Sequence, residues 1–212
     1  MKLTIVYDNE TRQAGLKAEW GFACLVEEDG WRLLFDTGGN GALLLHNLAQ
    51  LKLDPRHIPE IFISHSHWDH MGGLSDLLQL NPNAIVYLPG SCARPHHAGQ
   101  MVWVHGPCAL WEKAYSTGEL KGLEQSLVLR ASDGLLVLSG CSHPGVGTIL
   151  EAAAQFGRVS ALVGGLHGFR EFHQLAGLKL ICPCHCTQYK AEIFKLYPET
   201  AIRGGVGTVL EV

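Results

Sequence analysis

No apolar run in this chain comes near the roughly 18 residues that a membrane span needs, so no membrane partner is expected. Positive charge is also scarce. Lys and Arg number 16 against 20 Asp and Glu, for a net charge of −4. That balance lacks the basic footprint of a polyanion binder and argues against a nucleic-acid partner. Met1 to Tyr7 carries one lysine and a short β-like run, not the apolar core and small-residue cleavage site of an export signal. The cysteine count, 7, is odd. With no export signal expected, free thiols in a reducing cytoplasm are predicted in place of disulfides. Charged residues are only 17% of the chain and hydrophobic ones 47%, which excludes a disordered polymer. At 212 residues, one domain spanning 1–212 is the simplest organisation.

Histidine, by contrast, is abundant, with 12 in the chain. The local pattern places several of these histidines just after β-like runs. Lys2–Tyr7, Trp20–Glu27 and Trp31–Phe35 read as strands, the last two joined by a Glu28-Asp29-Gly30 hairpin turn. Ala42–Leu51 reads as a helix capped by Asn40. Ile61-Phe62-Ile63 is a short buried run, followed by Ser64-His65-Ser66-His67-Trp68-Asp69-His70 and an amphipathic helix over Met71–Leu80. Ala84–Leu88 is a further strand, whereas Pro89–Gly118 shows no clear period and is expected to be irregular, with His96, His97 and His105 on its surface or in a lid. Leu127–Arg130 and Leu135–Ser139 form a second hairpin. Strand-then-loop-then-helix units then recur through Gly140-Cys141-Ser142-His143, Gly164-Gly165-Leu166-His167 and Cys182-Pro183-Cys184-His185-Cys186.

The segment His65-x-His67-x-Asp69-His70 carries the chemistry, with four ligand-type side chains in six residues. Extended backbone puts His65 and His67 on one side, and the turn into the helix brings Asp69 and His70 to a neighbouring point, so two metal positions close together are feasible. Gly72-Gly73 allows the helix start to lie against another segment. Imidazole with carboxylate suits zinc first, in one or two ions, with iron, manganese or nickel as alternatives. His167, following a strand and two glycines, reads either as a substrate-side or acid/base residue or as a structural histidine. Cys141 reads either as a strand-end ligand or as a small buried hydrophobe. Cys182-x-Cys184-x-Cys186 lacks the paired spacing of a structural zinc site. Trp103 and Trp111 are expected in the core.

Ser64-His65-Ser66-His67-Trp68-Asp69-His70-Met71-Gly72-Gly73-Leu74 resembles the HxHxDH motif of the metallo-β-lactamase superfamily, and Phe35-Asp36-Thr37-Gly38-Gly39 resembles the strand-end motif that precedes it. Within the superfamily, Ser139–Gly145, Val163–His167 and His185-Cys186-Thr187 resemble the branch of dihydropterin–ribofuranosylaminobenzene phosphate synthases. The resemblance implies an α/β fold, a four-layer αβ/βα sandwich of two mixed β-sheets flanked by helices. It implies that His65, His67 and His143 hold one metal and Asp69, His70 and His185 the other, with Asp36 bracing the loop from behind. Most members place a bridging Asp after the strand that follows the third motif. Between His143 and His185 this chain has only Glu151 and Glu171 as acids.

The function these features predict is a metal-dependent hydrolase that turns activated water on an ester, thioester or phosphate-type small-molecule substrate, with Asp69 orienting the nucleophile. The branch resemblance offers an alternative, a metal-dependent synthase or transferase acting on a pterin-like diphosphate. A non-enzymatic metal-binding or redox-sensing module is the second alternative. A secreted lactamase, a nuclease and a diiron oxygen reductase fit less well, for want of an export signal, a basic surface and an electron-carrier domain.

Overall fold

A computed structural model describes residues 1–95 and 100–212. In chain order its strands are β1 (Lys2–Tyr7), β2 (Ala23–Glu28), β3 (Trp31–Phe35), β4 (Glu60–Phe62), β5 (Ile85–Pro89), β6 (Gln100–Val104), β7 (Cys108–Trp111), β8 (Ala114–Ser116), β9 (Leu127–Ala131), β10 (Gly134–Ser139), β11 (Val159–Gly165), β12 (Leu180–Cys184) and β13 (Val209–Glu211). The α-helices are α1 (Gly41–Gln50), α2 (Trp68–Met71), α3 (Leu74–Leu80), α4 (Val146–Ala154) and α5 (Lys190–Leu196).

The strands form two sheets, ordered β13-β1-β2-β3-β4-β5-β6 and β12-β11-β10-β9-β8-β7. Period-two alternation builds the layers. Leu3 and Ile5 of β1 and Leu33 and Phe35 of β3 face the second sheet, where Leu127, Leu129, Leu136, Leu138 and Val163 meet them. Val6 and Leu34 point the other way, onto Leu44 and Leu48 of α1 and Leu74, Leu77 and Leu78 of α3. The outer face of the second sheet, with Val137, Leu162 and Ile181, is covered by Val146, Ile149 and Ala153 of α4 and Ile193 of α5. Three apolar layers therefore separate helices, sheet, sheet and helices, which is the expected four-layer sandwich of two mixed sheets.

Local chemistry explains the turns. The β2–β3 hairpin turns through Asp29 and Gly30, both at positive φ (48° and 83°), the two-residue geometry that matches the twist of the strands. Asn40 caps α1, its side chain accepting from the Leu43 amide at 3.2 Å. The single helix expected over 71–80 is instead broken at Gly72-Gly73. A Cβ on Gly72 would strike the Gly39 carbonyl and one on Gly73 the Thr37 carbonyl, so these glycines let the 36–39 loop pass directly beneath the helix start.

A second expectation needs correction. The 89–118 stretch, read as irregular, contains β6, β7 and β8, which extend the edges of both sheets. Its alternation is obscured because β6 and β7 are edge strands with one partner and half-exposed faces, and β8, paired on both sides, has only 3 residues. Trp103 packs on the helix-side core, and Trp111 stacks on Trp31 with ring centroids 5.0 Å apart. His105 is exposed, and His96 and His97 lie outside the described residues.

Candidate metal centre

The chain directions gather the chemistry at one end. β3, β4, β5 and β6 run parallel, as do β10, β11 and β12. Asp36 follows β3, His65 to His70 follow β4, Cys141 and His143 follow β10, His167 follows β11 and His185 follows β12. All of these lie beyond the C-terminal ends of strands. Seven non-glycine residues among those described adopt positive φ, and four of them, Asp36, Ser142, His167 and His185, belong to this end. Backbone strain held by surrounding structure concentrates where function requires a fixed geometry.

The predicted histidines converge. His65 Nε2 lies 3.1 Å from His67 Nδ1, and the ring of His143 sits 4.8 Å from that of His65 and 4.9 Å from that of His67. His185 Nε2 approaches Asp69 Oδ2 at 3.2 Å, and His70 Nε2 is 4.0 Å from the same oxygen. The ligand-type atoms of His65, His67 and His143 lie within 4.8 Å of one another, as do those of Asp69, His70 and His185. A third such set joins His65 and His70 to Cys141, so the two triads adjoin.

Each buried ring is oriented from behind. Asp36 is fully buried; its Oδ1 accepts from the Ser64 amide and its Oδ2 from the Ser64 hydroxyl, both at 2.7 Å. The same Oδ2 lies 2.7 Å from His70 Nδ1. The His65 Nδ1 lies 2.9 Å from the Ser64 hydroxyl. His185 Nδ1 sits 3.0 Å from Asn9 Oδ1, while Asn9 Nδ2 donates back to the His185 carbonyl at 3.2 Å. These partners occupy the Nδ1 atoms and turn the Nε2 atoms inward, as carboxylate and carbonyl partners do behind metal-ligating histidines.

Burial, with the neighbouring imidazoles of His70, His143 and His67, pushes the His65 pKa well below its ordinary value. Burial and the charge of His185 lower His70 in the same way. Burial pushes the Asp69 pKa up, but the His185 hydrogen bond and the neighbouring imidazole of His70 outweigh it and bring it below its ordinary value. Neutral imidazoles beside an ionised carboxylate are the protonation states that can donate lone pairs to a cation. The Nε2 atom of His143 is buried without a hydrogen-bond partner, and that of His185 faces the Asp69 carboxylate. Such an orphan calls for an explanation, and a divalent cation supplies one. The residues present fit a metal.

Three participants carried no sequence signal. Glu124 is fully buried, with Oε1 accepting from the Ser139 hydroxyl at 3.0 Å and from the amides of Gly140, Cys141 and Ser142 at 2.9, 3.1 and 3.2 Å. Its Oε2 accepts from the His143 amide at 3.0 Å, so one carboxylate shapes the whole loop that presents His143. Asn9 and Trp20 are the others; Trp20 Nε1 donates to Asp69 Oδ2 at 2.8 Å. Each is distant in sequence from the group it holds, and no motif marks it. Cys141 is 3% exposed, with its Sγ 3.2 Å from His70 Nε2. His167 is exposed, its ring 5.4 Å from that of His143. A pocket of about 360 Å³ opens here, lined by Trp20, His67, Trp68, Cys141, His143 and His167 among others.

Residues 21–136, more than half of the chain, match the family model of the metallo-beta-lactamase superfamily. The chain belongs to that superfamily. It is 24% identical to the 7,8-dihydropterin-6-methyl-4-(beta-D-ribofuranosyl)-aminobenzene-5'-phosphate synthase of Methanocaldococcus jannaschii, with 81% of each chain aligned. A crystal structure described as a metal-dependent hydrolase of the beta-lactamase superfamily covers 100% of this chain and 99% of its own, at 27% identity and a TM-score of 0.81. Over 36% of this chain and 28% of the relative, it is 36% identical to a hydroxyacylglutathione hydrolase of Aeromonas salmonicida. Among the described residues, no helix is long and apolar enough to cross a membrane.

Proposed function

We propose that this chain is a metal-dependent hydrolase of small ester, thioester or phosphate-type substrates. The observation that carries the reading is the convergence of two triads of ligand-type atoms, within 4.8 Å in each, beyond the C-terminal strand ends. In this reading His65, His67 and His143 hold one ion, and Asp69, His70 and His185 hold the other. Zinc suits the imidazole-rich first set best. A bound divalent ion supplies acidified water, its pKa drawn from about 15.7 toward about 7, and polarises the scissile oxygen.

The chain's own residues do the rest. Trp20 fixes one oxygen of Asp69 by its indole hydrogen bond, leaving the other oxygen to orient the attacking water. Ser64, Asp36 and Asn9 hold the rings of His65, His70 and His185 in the tautomers that face inward. His167, exposed at the pocket wall, is placed to exchange a proton with the leaving group. Replacing His67 with Ala tests the reading. His67 is exposed, so folding should hold within about 0.5 kcal/mol. Bound zinc and turnover on an ester, thioester and phosphate panel should both disappear, and a variant that kept both would refute the assignment.

The synthase reading keeps one supporting observation. Trp20 and Trp68, 51% and 59% exposed, stand at the pocket wall and present flat apolar faces suited to a ring system such as a pterin. The likeness to the M. jannaschii synthase points the same way. The acceptor discriminates: water for a hydrolase, an arylamine-type carbon for a synthase acting on a pterin-like diphosphate.

A further inference from the structure

Five of the seven cysteines divide into two groups by what they touch. Cys24, Cys182 and Cys184 pack in the apolar layer between the sheets. Cys141 and Cys186 do not; both line the pocket beside His67, Asp69 and His143. Cys141 Sγ lies 3.2 Å from His70 Nε2 and 3.2 Å from Cys186 Sγ. The ligand-type atoms of Cys141, Cys186 and His185 fall within 4.8 Å of one another, as do those of Cys141, His65 and His70. A thiol that merely fills the core faces apolar atoms, whereas these two face imidazoles.

The strand between them explains why sulfur is there. β11 lies between β10 and β12, and its last residue, Gly165, pairs with Cys184. No Asp occurs between His143 and His185 that could reach in from this strand end. A Cβ on Gly165 would run into the Gly140 carbonyl and come within 2.7 Å of Cys186 Sγ and 3.2 Å of the Cys141 Cα. The strand end therefore has no room for a carboxylate of its own, and the space such a side chain would enter is occupied by the Gly140 carbonyl and the Cys186 sulfur, with the Cys141 backbone beside them.

We propose that Cys141 and Cys186 are sulfur ligands of the second metal position, alongside Asp69, His70 and His185. They make that position select a borderline or soft divalent ion, such as zinc, iron or cobalt, over magnesium or manganese. The assignment rests on the metal-centre reading above and goes beyond it in naming the donor atoms and the class of ion. Thiolate donors favour zinc and iron, whereas magnesium and manganese favour oxygen. Each thiol gives its proton to solvent as its sulfur bonds to the ion, and no electron is transferred.

The test is zinc K-edge X-ray absorption on the chelator-stripped full chain reloaded with zinc. A sulfur scatterer at about 2.3 Å is expected beside the nitrogen and oxygen shell. Loading with cobalt(II) should add a sulfur-to-cobalt charge-transfer band in the near ultraviolet that excess magnesium does not diminish. The band should vanish in a Cys141→Ser/Cys186→Ser variant and survive in Cys92→Ser. Zinc bound through nitrogen and oxygen alone overturns the sulfur assignment and leaves the histidine centre standing. No zinc uptake overturns both. A sulfur signal that persists in the double variant also overturns the assignment, since another cysteine would then supply it. The absorption measurement uses the unaltered chain, so it stands even where the double variant fails to fold.

Discussion

The two ends of this sandwich differ in a way that volume alone would misjudge. The larger hollow, about 760 Å³, lies at the end opposite the histidines, lined by Lys2, Glu27, Asp29, Arg32, Asp133 and Lys179 among others. The pocket over His67, Asp69 and His143 is about 360 Å³. In the larger groove the charges answer one another: Lys2 with Glu27 at 2.9 Å, Arg32 with Glu27 at 3.1 Å and Lys179 with Asp133 at 3.0 Å. At the histidine end, ligand-type atoms face one another, and His143 Nε2 stands buried without a partner. Solvated ion pairs are satisfied where they are, and their grouping needs no ligand. Unsatisfied convergent donors do. The second end is therefore the candidate site, even though its pocket is smaller.

The comparison can be broken by substitution, and the largest effect is expected at Glu124. Replacing it with Ala strands the amides of residues 140–143, which it alone gathers. Removing one member of a buried charged network costs about 3–5 kcal/mol, so urea denaturation should show a loss of that order, and a near-neutral variant would contradict the role given to this carboxylate. Asp36→Asn comes next. It keeps the shape but weakens the hold on His70 Nδ1, and zinc affinity should fall about 10- to 100-fold in competition with a chromophoric chelator.

Acid should sharpen the contrast through His65. Its pKa is lowered in the fold, so the unfolded chain binds the extra proton first as pH drops below the ordinary value of about 6.5. Its contribution to stability is thus lost as pH falls, by about 1 kcal/mol for the first unit below that value. Denaturation of the metal-free chain at successive pH values measures it; stability that holds flat across this range, with His65 replaced by Gln making no difference, would contradict a neutral buried ring. The smallest effect belongs to the opposite groove. Lys179→Ala breaks an exposed pair and should change stability by less than about 0.5 kcal/mol and leave turnover untouched.

Much of the fold was readable from sequence because two of its rules are local. Leu3, Ile5, Leu33 and Phe35 alternate with residues facing the helices, and Asp29-Gly30 and Asn40 mark their turn and cap. β6 and β7 escaped because edge strands bury one face poorly, and β8 because its three residues are too few to show a period. The HxHxDH segment was readable because four of its donors lie on one short loop. His143 and His185 needed a family likeness, since each stands alone on its own strand end. Glu124, Asn9 and Trp20 stayed hidden because what they do depends on partners far away in sequence: Asn9 acts on His185, 176 positions away. Cys186 was masked by two core cysteines at the same spacing, and only the side-chain directions separate it from Cys182 and Cys184.

The most direct measurement of the central claim is an anomalous difference map from crystals of the chain grown with zinc and recorded on both sides of the zinc absorption edge. A peak bounded by His65, His67 and His143, with a second bounded by Asp69, His70 and His185, is the predicted result. A map without peaks between these side chains, from protein that takes up no zinc in solution, would contradict it.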